Sequence, residues 1–171
     1  MKKRLALIAL IATPLLAGCG GSSPSPGAGT AQAPASEQQK APEPTVGTPF
    51  TADMGNGNVA KITIVTAQFV DSVSTNQFAP KPKSGKFLQL DVLWETETGK
   101  TSANPLYFNV KDAEGRKADM ELFGDGNLAS GEVVAGDKAR GFVNYDVAPG
   151  PVTVTVTNPG LQTVATIKIT P

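Results

Sequence analysis

Between Lys86 and Thr96 the chain reads FLQLDVLWE, with a large apolar residue at every second position. Successive side chains of a strand point to opposite sides, so Leu88, Leu90, Val92 and Trp94 share one face while Gln89, Asp91 and Glu95 share the other. A helix of 3.6 residues per turn would scatter these residues around its circumference. This segment therefore requires a sheet with one face against a core. The same period returns in Pro105–Asp112, where Leu106, Phe108 and Val110 point one way. It returns in Gly141, Val143, Tyr145 and Val147, then in Val152, Val154 and Val156 against Thr153, Thr155 and Thr157. Ala165, Ile167 and Ile169 against Thr166, Lys168 and Thr170 form the last such run.

Turn chemistry separates the runs: Asp112-Ala113-Glu114-Gly115, Pro149-Gly150-Pro151 and Asn158-Pro159-Gly160. Asp and Asn bond their own backbone, Gly supplies positive φ, and Pro presets a turn. Lys61–Val70 departs from simple alternation, because Ile62 and Ile64 give way to Val65, Ala67 and Phe69. A bulge that switches register, or burial on both faces, accounts for it. Weaker strand signals lie at residues 117–123 and 132–134, and no stretch carries a helical stripe. Some seven to eight short strands, with turns about every 8–12 residues, make an antiparallel β-sandwich of residues 50–171.

The chain before that domain has a different character. Met1-Lys2-Lys3-Arg4 is followed by the apolar stretch Leu5–Leu16, which ends in Leu16-Ala17-Gly18-Cys19. A basic start, an apolar core of about a dozen residues and small residues at its end form a secretory signal over residues 1–18. A bilayer-crossing helix needs about 20 apolar residues. The ending L-A-G-C resembles the lipobox of bacterial lipoproteins. That resemblance implies cleavage between Gly18 and Cys19 and a diacylglyceryl group on Cys19. Two acyl chains give a stable anchor where one binds only marginally, so the implied location is the extracytoplasmic face of a membrane. Gly20 follows Cys19, so the inner-membrane retention signal with aspartate is absent, and an outer membrane is open as a location. Cys19 is the chain's only cysteine, which leaves no intramolecular disulfide.

Residues 19–49 hold the lipidated cysteine and a stretch with six prolines, many Ala, Ser and Gly, and no aromatic. Such a segment buries too little apolar surface to offset its ordering entropy, and a disordered tether is expected. Losing Lys2, Lys3 and Arg4 with the leader leaves 12 basic groups against 15 acidic ones, a net charge of −3. That balance lacks the basic footprint of nucleic-acid binding, and no nucleic-acid partner is expected.

Three short elements carry a further resemblance: Gly85–Val92 (GKFLQLDV), Asp112–Gly115, and Gly131–Val147 with its pattern G-E-x-x-x-G-D-K-x-x-G-x-V-x-Y-D-V. Together they resemble a family of secreted bacterial domains of unknown function with immunoglobulin-like sandwiches, often found as lipoproteins. In fold the chain is also similar to the small secreted immunogenic proteins of mycobacteria. The resemblance implies an immunoglobulin-like topology and transfers no chemistry.

The residues themselves supply little chemistry. The chain contains no histidine, which removes Ser-His-Asp and Cys-His arrangements, and no G-x-S-x-G occurs. Without His or a free Cys, neither zinc nor copper is expected. Counted from Asp125, an EF-hand loop fails at Ala129, Ser130 and Gly136, so Asp125-Gly126 reads as a tight turn. Glu95 and Glu97 stand about 6.6 Å apart on one strand face, a commonplace of solvent-facing strands. No cofactor and no catalysis are expected.

Two features suit binding. The long connection Asp71–Gly85 carries Phe78, Lys81 and Lys83, and connections of this length either serve function or pack on their own domain. Phe87, Leu93 and Phe142 are apolar residues on otherwise polar strand faces. The expectation is a non-enzymatic, lipid-anchored module that binds an envelope protein or polymer. The alternative is a carrier of a small apolar ligand between the sheets, held by residues such as Leu90, Trp94 and Phe108.

Overall fold

The computed structural model describes residues 43–170. The expected signal peptide, Gly18, Cys19 and the expected tether up to residue 42 lie outside the described residues.

The alternating runs become strands, and all the sheets are antiparallel. The first sheet has five strands in the order β1-β2-β3-β8-β6: β1 (Phe50–Gly55), β2 (Asn58–Val70), β3 (Lys86–Thr98), β8 (Lys138–Val147) and β6 (Asp119–Glu121). The second has the order β10-β9-β5: β10 (Thr163–Ile169), β9 (Val152–Thr157) and β5 (Phe108–Lys111). β4 (Lys100–Ala103) and β7 (Gly131–Val134) form a separate pair. The ten strands among the described residues exceed the seven or eight expected, because β1 and β4 gave no alternating signal of their own.

Leu88, Leu90, Val92 and Trp94 are fully buried, and so are Val143 and Tyr145 of β8, Val154 and Val156 of β9, and Ile167 of β10. These inner faces form one apolar cluster with Phe108 and Val110 of β5. β2 contains the bulge: its pairing with β3 shifts between Ile64 and Thr66. Ile62 and Ile64 face the core before the shift, and Ala67 and Phe69 pack against it afterwards. One extra residue thus keeps both halves of a long strand apolar side in.

β1 joins β2 through Asn56-Gly57, which hold φ of 55° and 77°. Two successive positive φ values give the hairpin turn whose twist suits the flanking strands. Residues 43–49, expected as the end of the tether, run as an ordered extension of this edge. The Gly47 N–H donates to the Ile64 carbonyl at 2.8 Å, beyond the point where β1 stops pairing.

Pro105–Tyr107 is a single 3-10 turn rather than the start of a strand. Asn104 accepts a hydrogen bond from the Leu106 N–H and Pro105 presets the first helical φ, so local capping wins over the alternation. Leu106, expected to face the core, is 65% exposed.

Polar groups inside the sandwich are paired in series. Trp94 Nε1 donates to Thr101 Oγ1 at 2.8 Å, and Thr96 Oγ1 donates to the Val133 carbonyl at 2.8 Å. The Thr96 proton is thereby committed, so Thr101 donates in the 2.6 Å contact between the two hydroxyls. This relay ties β3 to β4 and β7. The Tyr145 hydroxyl donates to the Phe108 carbonyl, joining the two larger sheets, and burial pushes its pKa well above the usual phenol value. Leu90, Trp94 and Phe108, the expected ligand contacts of a carrier, are all buried in this core.

Candidate functional site

The long connection 71–85 packs against its own domain, and three carboxylates hold it there. Asp125 accepts from the Thr75 N–H at 2.7 Å and from the Thr75 and Ser74 hydroxyls at 2.9 Å. Its own N–H donates to the Val73 carbonyl at 2.8 Å. Asp146, on the outer side of β8, accepts from the N–H groups of Lys83 at 2.6 Å and Ser84 at 2.8 Å. Lys86 closes the base of the loop on Asp71 at 2.7 Å. Asp125-Gly126 is indeed a turn, and its carboxylate is the clamp between residues 72–76 and the β6–β7 connection.

The β6–β7 connection is itself seated on β8. The Leu128 N–H donates to the Phe142 carbonyl and the Phe142 N–H to the Gly126 carbonyl, both at 2.9 Å. Asn144 Nδ2 donates to Asn127 Oδ1 at 2.7 Å, and Asn127 Nδ2 donates to the Leu122 carbonyl at 2.8 Å. Leu128 then enters the main core.

Two fixed loops therefore meet at Asp125; Val73 and Leu128 turn inward, while three large apolar side chains are left exposed. Phe78 is 83% exposed, Phe123 75% and Leu122 59%. The half-buried Phe142 shares a small groove of about 130 Å³ with Met120, Leu122 and Leu128. Of the expected contact residues, Phe78, Lys81 and Lys83 are exposed on the clamped loop. Leu93 is half-buried on the same outer sheet face, opposite Arg140, while Phe142 stands opposite Asp91. Arg140 forks onto Asp91 at 3.0 and 2.6 Å between them.

Phe87 is a correction. Only 1% of it is exposed, so it offers nothing to a partner. Its strand parity points it out of the sheet. Lys83 and Ser84 are held over the facing residue Asp146, and the loop covers what the strand pattern alone would leave in solvent. Leu122 and Phe123 went unrecognised as contact candidates, lying at the end of a weak strand signal, where periodicity says nothing about exposure.

The acids of this sheet serve structure. Glu95 is gripped by Lys138 at 2.7 Å and Lys61 at 3.2 Å, and these two ammonium groups hold its pKa below the usual carboxylate value. A carboxylate so held remains ionised at neutral pH and makes a poor proton donor. Among the described residues no group of three or more His, Cys, Asp or Glu is placed to hold a metal ion.

The clamp has a defined pH dependence. Donation from the Thr75 N–H, then from the Thr75 and Ser74 hydroxyls, lowers the Asp125 pKa below its ordinary value of 3.8. A lowered folded pKa gives stabilisation that is complete above 3.8 and is lost as pH falls through the folded value. Hydrogen exchange at the Thr75 amide, corrected for intrinsic rates, should be flat from neutrality down to that point and accelerate below it. Asp125→Ala should accelerate it about tenfold at neutral pH, the scale of a local opening. Unchanged protection in that variant would mean that the clamp does not order the loop.

No protein-family model and no curated protein sequence matches the chain. Solved structures do. The candidate lipoprotein ycdA of Bacillus subtilis matches with a TM-score of 0.56 at 15% identity, over 72% of this chain. The match covers only 38% of ycdA, so the chain spans about two fifths of that protein's length. The secreted protein MPT63 of Mycobacterium tuberculosis matches with a TM-score of 0.55 at 16% identity, over 77% of this chain and 99% of its own. The yjhA protein of Bacillus subtilis gives 0.52 at 16% identity, over 73% and 98%. At such identities the likeness is one of fold, and it agrees with the all-β sandwich that the alternating strands require.

Proposed function

We propose that this chain is a lipid-anchored extracytoplasmic protein that presents a non-enzymatic β-sandwich to an envelope protein through the corner around Asp125. The observation that carries the contact surface is the exposure of Phe78, Leu122 and Phe123 on loops whose backbones are clamped. Large apolar side chains exposed on two loops that meet at one carboxylate suit an interaction site. Loops already ordered before binding spare the entropy that a mobile loop would lose. The leader ending in Leu16-Ala17-Gly18-Cys19 and the proline-rich segment after it support the anchor and the reach. The absence of histidine and the engagement of Glu95 and Asp125 in structural contacts support a role without catalysis. The carrier reading draws no support from the packing of Leu90, Trp94 and Phe108 into the core.

The test is a photo-reactive amino acid placed at position 123 in intact cells. A discrete adduct is expected, absent when the probe sits at the exposed Glu97 and lost on Phe78→Ser/Leu122→Ser substitution. The same adduct from both probe positions, or none at position 123, would refute the corner as the contact surface.

A further inference from the structure

The two outer sheet faces treat their cations differently. On the five-stranded sheet Lys61, Lys138 and Arg140 are each paired with Glu95 or Asp91. On the three-stranded sheet no strand position facing outward carries a carboxylate. The outward residues there are Asn109 and Lys111 of β5, three threonines of β9, and Thr166 and Lys168 of β10.

The register aligns the lysines. Lys111 stands directly opposite Lys117 across a β-bridge, and Thr153 stands opposite Lys111 on one side and Lys168 on the other. Residues directly opposite across antiparallel strands share a face, so Lys117, Lys111, Thr153 and Lys168 form one transverse row. With about 4.8 Å between strands the row is roughly 15 Å long. All three lysines are exposed, and none forms an ion pair among the described residues. Glu114 is engaged by Arg116 in the neighbouring turn, and Glu43 lines, with Lys168, the groove along the outer edge of β10. Like charges directly opposite are destabilising, so the Lys111–Lys117 pair carries an electrostatic cost, offset in part by Asp112 and Asp146, which line a groove with Lys117. Beside the row, Asn109, Thr155 and Thr166 form a second, uncharged row in the same register.

We infer that this face binds a linear anionic polymer rich in hydroxyl groups, laid along the lysine row. Carboxylates or phosphates recurring every 5–10 Å or so would meet successive ammonium groups at strand spacing. The threonine and asparagine side chains would meet the polymer's hydroxyls. The row is carried mainly by the three-stranded sheet and the Asp125 corner by the five-stranded one, so the module would hold a polymer with one sheet and a protein with the other.

The test uses the mature chain from residue 19 carrying Cys19→Ser, which removes both the apolar leader and the acyl anchor as sources of lipid binding. Its probes are an oligogalacturonate, a neutral dextran, and phosphatidylcholine vesicles containing phosphatidylglycerol. The oligogalacturonate should bind in a salt-sensitive way and raise the melting temperature, while dextran and vesicles do neither. Lys111→Gln/Lys117→Gln/Lys168→Gln should weaken its binding about tenfold, the scale of three exposed charge contacts, and fold at least as stably as the parent. Lys61→Gln/Lys100→Gln/Lys138→Gln, with the same change in net charge, should bind as the parent does. Equal loss in both variants, no binding of the oligogalacturonate, or preference for the vesicles would overturn the inference. Because the probe is soluble and the chain unanchored, failure here leaves the corner and its intact-cell test untouched.

Discussion

Trp94→Ala should lower the unfolding free energy by about 4 kcal/mol, the middle of the range for truncating a buried aromatic side chain. Trp94 is fully buried in the middle of β3, and its ring lies 6.2 Å from that of Tyr107. Truncation opens a cavity that antiparallel strands tied on both sides cannot close. It also takes the indole N–H from Thr101 Oγ1, the first link of the relay that ends on the Val133 carbonyl. Trp94→Phe weights the two effects differently, since it keeps most of the volume but deletes the donor, for about 1–2 kcal/mol. Urea unfolding of both variants gives the answer. A loss below about 2 kcal/mol for the alanine variant would contradict a tightly packed centre.

Gly141→Ala has the second large effect, with a sign opposite to ordinary propensity. In a strand interior alanine usually gains about 0.5–1 kcal/mol over glycine. At Gly141 an added Cβ would stand 2.4 Å from the Leu128 nitrogen, 2.5 Å from its Cα and 2.7 Å from the Asn127 carbonyl carbon. All three are backbone atoms, so no rotamer relieves the clash. The 126–128 segment must lift off β8, weakening its two hydrogen bonds to Phe142 and drawing Leu128 from the core. A destabilisation of about 3 kcal/mol is expected, as for severe overpacking. Gly131 is the control: an added Cβ there meets nothing within 4 Å and φ is not positive, so Gly131→Ala should be neutral or slightly stabilising. Equal effects at the two glycines would show that the close crossing is not rigid.

The difference between those glycines also shows what the sequence could and could not reveal. Strand faces were legible because burial on one side forces a period of two. Leu88–Trp94, Val152–Val156 and Ala165–Ile169 point inward as the pattern requires, and the irregularity in Lys61–Val70 is the bulge it suggested. Asn56-Gly57 carried a hairpin signal that would have placed β1, since few residues other than Asn and Gly accept two positive φ values in succession. β4 is four residues long, and only its pairing with β7 makes it a strand.

The candidate surface was less legible, because exposure there is decided by loops. Phe87 and Phe142 both occupy outward positions, yet the 71–85 connection buries the first and the 126–128 segment shields half of the second. Leu122 and Phe123 are exposed because Asp125 and Asn127 fix the backbone beside them. No periodicity encodes a contact between residues 50 positions apart in the chain.

The proposed presentation at a membrane rests on lipidation of Cys19, and the mass of the mature amino terminus tests it most directly. Intact-protein and peptide mass spectrometry on membranes from expressing cells should find a chain beginning at Cys19 with a diacylglyceryl group on its sulfur. The Cys19→Ala chain should lack that mass and leave the lipid-modified pool. A mature chain that begins elsewhere, or that carries Cys19 as a free thiol, would contradict the anchored module.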